Sequence, residues 1–288
     1  MTKVSYLVST YDSGHFLDRH MADLIDRQTD PDFEIVIVNP DSPGTDDIIA
    51  RKWEIQDPRV KYIFYEKREP YGASWLRAWE AATGDFVMNS NTDDYHEPHT
   101  TETVFKHMKL AVGPLGPPNK IGFGYGGLTI IDESGRVKGR GLKPPFDFEL
   151  MTRECWAGPQ VIWRNDKEFR DSLNWEHLER RASVLTSGFD YGLWLYFMSL
   201  GYYGHVIQDF ITIYTQRPDS LENSNKWLNN WDTFVSIAEY FPHHFETHLK
   251  KHQEFVERWP QVPDRTMWSD VMRQGKKWRN DYGWQEME

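Results

Sequence analysis

The first third of the chain alternates short apolar runs with helical patterns. The apolar runs are VSYLVS at 4–9, FEIVIV at 33–38, VKYIFY at 60–65 and DFVMN at 85–89. Between them, apolar residues recur at helical spacing at about 15–28, 45–56 and 73–82. Strands separated by helices of this length form right-handed βαβ units, so the pattern predicts a mostly parallel sheet. The nearly continuous apolar character of the runs indicates helices on both faces of that sheet.

The rest of the chain carries a mixed pattern of strands and helices. The predicted elements are, in order, a helix at 97–112, strands within 120–137 with a turn at Asp132–Gly135, a surface loop at Lys138–Phe148, a strand at 159–164, a helix at 189–202, and Trp-rich helices after Tyr214. The predicted fold class is therefore α/β, with a helical C-terminal extension.

Composition and charge restrict the class of protein. The 288 residues include 33 Lys and Arg against 44 Asp and Glu, a formal net charge of −11, so no overall positive field attracts nucleic acid or anionic lipid. The single cysteine, Cys155, excludes an intramolecular disulfide and a cysteine-based zinc site. No run of about 18 apolar residues occurs. We therefore expect a cytoplasmic protein without a transmembrane segment, and peripheral contact with a membrane stays open.

Polar segments follow each of the four predicted strands. They are Ser9–Asp12, Asn39–Ser42, Glu66–Gly72 and Asn89–Asp94. Ligands of open α/β sheets bind outside the carboxyl ends of the strands. We therefore expect these four segments to surround a binding site.

Asp93 and Asp94 stand side by side at the end of an apolar strand. Two unpaired carboxylates near a buried sheet edge repel each other and lose hydration, so a positive group should lie nearby. Two interpretations stay open: the acids cap the next helix, or together with Asn91 they bind a divalent cation. Such oxygen ligands suit Mg²⁺ or Mn²⁺, whose remaining ligands are commonly water and substrate phosphates.

Several segments, in order, give the chain a resemblance to a known family. They are VSYLVSTYDSGHFLDRHMADLIDRQTDPDFEIVIVNPDS, GASWLRAWEAATGDFVMNSNTDD, GPQVIWR, and SGFDYGLWLYFMSLGY with the later IYTQRPDSL. Their order and spacing resemble those of family 2 glycosyltransferases of the GT-A fold, from about Val4 to Leu221. The resemblance implies a Rossmann-like central sheet and transfer of a sugar from a nucleotide-diphosphate sugar.

The resemblance also implies roles for the acids. Asp93 and Asp94 match the metal-binding motif that holds Mn²⁺ or Mg²⁺ against the donor diphosphate. Asn91 stands where the family has the leading acid of that motif, and it retains a neutral oxygen donor. Asp190, in FDYGLWL, matches the general base of inverting members, although a helix cap is the alternative for this residue.

The nucleotide-binding positions include one departure from the family. Ser9, Thr10 and Tyr11 match the segment that holds and stacks the nucleobase. In relatives that use uridine donors an Asp commonly binds the uracil imide, and here the matching dipeptide is Asn39-Pro40. Asp41 is adjacent and could take that role, so uridine, guanosine and thymidine donors all stay open.

The sequence thus predicts a metal-dependent inverting glycosyltransferase whose acceptor is a hydroxyl of a glycan or glycolipid. Residues 1–221 would form the catalytic domain, with a nucleotide-sugar half at 1–94 and an acceptor half at 95–221, and residues 222–288 a helical extension. Two other functions stay open: a glycosyltransferase acting on hydroxymethylated DNA bases, and a non-catalytic relative that binds sugars or nucleotides. The sequence leaves the oligomeric state open.

Overall fold

The computed structural model describes residues 2–113, 120–152, 155–184, 188–218, 220, 232–233, 236–237, 239–241 and 244. The strands are β1 Val4–Ser9, β2 Phe33–Pro40, β3 Val60–Tyr65, β4 Phe86–Asn89, β5 Tyr95–His96, β6 Ile121–Ile131, β7 Val137–Gly141, β8 Ile162–Arg164 and β9 Tyr203–Thr215. The helices are α1 Gly14–Arg27, α2 Asp46–Gln56, α3 Tyr71–Ala81, α4 Thr100–Val112, α5 Phe148–Met151, α6 Lys167–Asp171, α7 Trp175–Val184 and α8 Phe189–Ser199.

All nine described strands belong to one sheet. Its order is β3-β2-β1-β4-β8-β6-β9-β5, with β7 paired to β6. The pairings β2–β3, β1–β2, β1–β4 and β6–β9 are parallel, whereas β8 is antiparallel to both β4 and β6. Six of these strands therefore run in one direction, while β5, β7 and β8 oppose them. The prediction of a mostly parallel sheet is confirmed.

Two apolar cores lie on opposite faces of the sheet because side chains alternate along each strand. In β1, Leu7 points into the core beneath α3, α7 and α8, whereas Tyr6 and Val8 point into the core beneath α1, α2 and α4. Strand β2 divides its apolar side chains in the same way. Burial on both faces explains the continuous apolar runs.

The structure departs from the sequence-based prediction after residue 137. The loop predicted at Lys138–Phe148 is wrong in its first part, because β7 pairs there with β6 beyond the turn at Asp132–Gly135. Strand β9 was not predicted, since Gln208 and Asp209 interrupt its apolar alternation where its register with β6 shifts.

Most of the predicted C-terminal extension lies outside the described residues. The division at residue 221 therefore stays a prediction. Across the described residues, none of the helices has the length and apolarity needed to cross a bilayer.

Gly72 allows the starts of α3 and α8 to lie in close contact. A Cβ added at Gly72 would lie 2.5 Å from Cγ of Phe189, well inside normal contact distance. Phe189 is the first residue of α8 and directly precedes Asp190. The close approach allowed by Gly72 therefore sets the position of Asp190 relative to α3.

We expect Gly72→Ala to lower the free energy of unfolding by about 1–3 kcal/mol, because the methyl group must displace a buried ring. Urea denaturation measures this change. Gly139→Ala is the matched control, since a Cβ there meets nothing within 4 Å. Equal stabilities of the two variants would contradict the packing described at Gly72.

Candidate active site

A cleft of about 940 Å³ opens at the carboxyl ends of β1 and β4. Its walls come from the loops after β1, β3 and β4, the start of α8 and the segment after β9. Three of the four polar segments predicted to surround a site therefore meet there, whereas no residue of Asn39–Ser42 lines the cleft. Of the residues singled out in the sequence, those that line it are Ser9, Tyr11, Asn91, Asp93, Asp94 and Asp190.

Asp94 lines this cleft and is only 1% exposed. Its Oδ1 accepts a hydrogen bond from the backbone N–H of Thr215 at 2.9 Å, and its Oδ2 accepts one from Nδ2 of Asn91 at 3.2 Å. Thr215 ends β9, so the bond joins the loop after β4 to the far half of the sheet. Asp94 does not cap α4, because that helix begins at Thr100 with His99 before it.

Burial and a neighbouring charge disfavour ionisation of Asp94. Desolvation, followed by the negative charge of Asp93, raises the pKa of Asp94 to about 8. The bonds from Thr215 and Asn91 and the charge of Arg217 act in the opposite direction but do not overcome these effects. Additional positive charge beside the two acids would stabilise the ionised form.

Arg217 provides part of that charge, and sequence reasoning did not assign it a role. One of its Nη atoms lies 3.2 Å from Oδ2 of Asp93, and its guanidinium lies 4.4 Å from the ring centroid of Phe16. Both residues line the cleft with Asp93. The only sequence signal was the position of Arg217 within the quoted segment IYTQRPDSL.

Tyr11 forms another wall of the cleft, and a second arginine covers its ring. The guanidinium of Arg68 lies 4.4 Å from the ring centroid, and Arg68 is exposed. The described part of the chain gives Arg68 no carboxylate partner within ion-pair distance. Arg68 is therefore a cation available to a ligand in the cleft.

The structure places Thr10 and Asp41 away from the cleft lining. Thr10 is fully buried, and its Oγ1 donates to Oδ1 of the equally buried Asp46. The same Oδ1 accepts from the backbone N–H of Ser13 at 3.2 Å, and Oδ2 accepts from Oγ of Ser42 at 3.0 Å. Asp46 thereby joins the loops after β1 and β2, whereas Asp41 is exposed with a φ of 53°.

Asp190 faces the cleft from the first turn of α8. The N-cap of this helix is Gly188, so Asp190 is not its N-cap. Oη of Tyr71 accepts from the backbone N–H of Asp190 at 3.4 Å and donates to Oδ1 of Asp190 at 3.4 Å. Burial and the negative charge of Asp190 raise the pKa of Tyr71 well above its usual value, so the hydroxyl keeps its proton. Tyr71 therefore orients the Asp190 carboxylate.

The donor set around Asp93 and Asp94 fits a cation that takes few protein ligands. Across the described residues, no group of three or more His, Cys, Asp or Glu side chains forms a closed metal site. Two adjacent carboxylates and the Asn91 amide instead line an open cleft, and one of the acids is held protonated by its surroundings. Mg²⁺ and Mn²⁺ are commonly bound by one or two carboxylates, with the remaining ligands from water and phosphate.

Comparison with known proteins finds one family model that matches part of the chain. Residues 5–112 match the model of glycosyl transferase family 2. The chain is 23% identical over 258 residues to "Uncharacterized glycosyltransferase MJ1057" from Methanocaldococcus jannaschii. The aligned region covers 88% of this chain and 81% of that protein. Over residues 5–112 the family-model match confirms the family predicted from the sequence.

Solved structures of other glycosyltransferases share the fold. S. aureus TarS 1-349 in complex with UDP-GlcNAc has a TM-score of 0.63 at 16% identity, covering 95% of this chain and 80% of that chain. A longer TarS structure is spanned to only 44% of its length. The mannosyltransferase PcManGT of Pyrobaculum calidifontis, in complex with GDP-Man and Mn²⁺, has a TM-score of 0.53 at 14% identity, covering 96% of this chain and 80% of that one. The predicted GT-A fold is confirmed.

We expect Asp94→Asn to stabilise the metal-free protein increasingly as pH rises from 5 to 8. In the unfolded chain Asp94 ionises near pH 4, whereas in the folded protein it holds its proton up to about pH 8. In this pH window the folded wild type therefore binds one more proton than the unfolded chain does. Its free energy of unfolding falls by up to about 1.4 kcal/mol for each unit by which the pH rises.

Urea denaturation across this pH range, with EDTA present, measures the difference between Asp94→Asn and wild type. Asp171→Asn is the control, because Asp171 is an exposed surface aspartate. A constant difference between Asp94→Asn and wild type at every pH would contradict the raised pKa of Asp94.

Proposed function

We propose that the chain is a family 2 glycosyltransferase and that it transfers a sugar from a nucleotide-diphosphate sugar to an acceptor hydroxyl with inversion at the anomeric carbon. The observation that carries this proposal is the division of acids within one cleft. Asp93 and Asp94 lie beside Arg217, whereas Asp190 is held separately by Tyr71. Stabilising a leaving diphosphate and accepting a proton from the attacking hydroxyl need two such sites.

The donor binds along the wall formed by the loops after β1, β3 and β4. Tyr11 stacks on the nucleobase, and Ser9 contributes polar contacts beside it. Arg68 and Arg217 neutralise phosphate charge. UDP-GlcNAc and GDP-Man are the donors named for the related structures, so UDP and GDP are the first nucleotides to test.

Asp93 and Asp94, with Asn91, would hold Mn²⁺ or Mg²⁺, which supplies Lewis-acid stabilisation of the leaving diphosphate when bound. Arg217 already compensates Asp93, so it also keeps the acid pair in place when the donor is absent. The name of the related mannosyltransferase structure includes Mn²⁺, which supports metal dependence.

Asp190 is the general base. The acceptor hydroxyl, on a glycan or glycolipid, attacks the anomeric carbon from the side opposite the diphosphate. The bond from that carbon to the diphosphate oxygen breaks as the new glycosidic bond forms, and the hydroxyl proton passes to Asp190. Tyr71 holds the carboxylate in one orientation for this transfer.

The donor class is tested by a thermal-shift panel. We expect one nucleoside diphosphate among UDP, GDP, dTDP, CDP and ADP to raise the melting temperature only with Mn²⁺, because ligands that bind the native state stabilise it by mass action. At 100 times its dissociation constant the ligand adds about 2.7 kcal/mol. The matching nucleoside monophosphate is the control, because it lacks the second phosphate. The absence of a shift with every diphosphate at millimolar concentration would contradict the proposal.

The base assignment is tested with Asp190→Asn. We expect the variant to bind the nucleoside diphosphate as wild type does, with kcat lower by at least about 100-fold, because the amide cannot accept the proton. Tyr71→Phe should lower kcat by about tenfold, since this variant keeps the Asp190 carboxylate as the base but removes the hydroxyl that orients it. The assay measures the nucleoside diphosphate released from the sugar nucleotide, with a glycan or water as acceptor.

Asp171→Asn should retain full activity and serves as the control in that assay. An Asp190→Asn variant as active as wild type would rule out Asp190 as the base. A variant that loses both nucleotide binding and activity would assign Asp190 to the donor site instead.

A further inference from the structure

A buried chain of hydrogen bonds lies behind the two acids. Nδ1 of His20 lies 2.8 Å from the backbone carbonyl oxygen of Asp94, and Nε2 of His20 lies 2.9 Å from Oγ of Ser90. The same hydroxyl lies 2.8 Å from Nε2 of His96. All three side chains are at most 1% exposed. These hydrogen bonds therefore connect helix α1 to both ends of the segment 90–96.

The Asp94 carbonyl fixes the direction of every bond in this chain. Burial favours the neutral form of His20, in which one ring nitrogen donates and the other accepts. A carbonyl oxygen only accepts, so Nδ1 of His20 carries the proton and its Nε2 must accept. Ser90 therefore donates its hydroxyl proton to His20. Nε2 of His96 then donates to Ser90, which leaves Nδ1 of His96 without a proton.

The cost of this arrangement is visible in the structure. Nδ1 of His96 is buried and has no hydrogen-bond partner among the residues that the structure describes. The rings also lie beside apolar groups, since the His96 ring centroid is 4.7 Å from that of Tyr6. Polar groups in such surroundings are unfavourable unless they are hydrogen-bonded, and apolar side chains would fill the space without that cost. The arrangement therefore calls for a role beyond packing.

We propose that His20 is a positioning residue that holds the Asp94 peptide through its Nδ1, with Ser90 and His96 fixing the tautomer and the ring orientation. This inference rests on the proposed function, because the peptide that is held carries a proposed metal ligand. The segment 90–96 is attached at three points: Ser90 after β4, the carbonyl of Asp94, and His96 in β5. Groups that orient metal ligands in this way typically change metal affinity by about 10–100-fold when removed.

Two isosteric variants separate positioning from general stability. His20→Asn places an amide N–H near the position of Nδ1, so it can still donate to the backbone carbonyl of Asp94 but cannot reach Ser90. His20→Gln places its amide near the position of Nε2, so it keeps the contact with Ser90 and loses the bond to Asp94. Met21→Ala is the control, because Met21 is fully buried on the same helix but makes none of these bonds.

The first measurement is amide hydrogen exchange in the segment 90–95, compared with exchange in strand β2. The amides of Ser90 and Asp94 are hydrogen-bonded to the carbonyls of Leu7 and Asn91, so their exchange reports opening of this segment. We expect His20→Gln to accelerate their exchange about tenfold relative to β2. His20→Asn should stay within about threefold of wild type, and Met21→Ala should affect both segments alike.

The second measurement is the dissociation constant for Mn²⁺ in the presence of UDP or GDP, followed by the electron paramagnetic resonance signal of free Mn²⁺. We expect His20→Gln to weaken binding about tenfold or more and His20→Asn to retain most of the affinity. Equal exchange in the two His20 variants, or acceleration spread equally to β2, would overturn the positioning role. If wild type binds no Mn²⁺ but exchange still separates the variants, the metal assignment fails and the positioning role stands.

If the substituted proteins do not fold, ¹⁵N shifts of the wild-type imidazoles decide the matter. The proposal requires the Nδ1–H tautomer for His20 and the Nε2–H tautomer for His96. The opposite tautomer at His20 would leave Asp94 without its donor and would overturn the proposal.

Discussion

The buried carboxylate of Asp94 is the constraint on which the cleft depends. It draws a backbone donor from the end of β9 and an amide donor from Asn91, and so ties the two halves of the sheet together. Its surroundings favour the protonated form, since burial and Asp93 outweigh the compensating groups. A buried carboxyl with a perturbed pKa in a cleft is a candidate functional group, and a bound cation would stabilise its ionised form.

The other charged groups of the cleft lie around these two acids. Arg217 pairs with Asp93, and Arg68 lies over the ring of Tyr11 near the same opening. Asp190 is held apart from these groups, where Tyr71 binds both its backbone and its carboxylate. Because Gly72 lets Phe189 approach α3 closely, the packing of two helices sets the position of the proposed base.

Sequence reasoning recovered the βαβ half of the fold because local pattern determines it. The runs at 4–9 and 60–65 have the same bounds as β1 and β3. Strand β1 is apolar because both of its faces are buried, whereas the edge strand β3 is only partly buried and is recognised by its β-branched and aromatic residues. Strand β9 was missed because Gln208 and Asp209 interrupt its alternation, and only pairing with β6 makes the segment a strand. Long-range pairing of this kind leaves little trace in local sequence.

Some residues of the candidate site could be predicted from the sequence, and others could be found only in the structure. Asp93 and Asp94 stood out as adjacent acids at the end of an apolar strand, and Asp190 stood out through the family resemblance of its segment. Arg217 and His20 did not, since their importance comes from contacts with residues far along the chain. Thr10 was singled out from its motif, yet its side chain points into a buried bond with Asp46.

The central claim is that the acid pair binds a divalent cation together with a nucleoside diphosphate. Anomalous diffraction from crystals grown with MnCl₂ and the nucleoside diphosphate that stabilises the protein tests it most directly. The account predicts a manganese peak within ligand distance of Asp93 and Asp94 that also contacts the diphosphate. A bound diphosphate held only by arginines, with no peak beside the two acids, would contradict it.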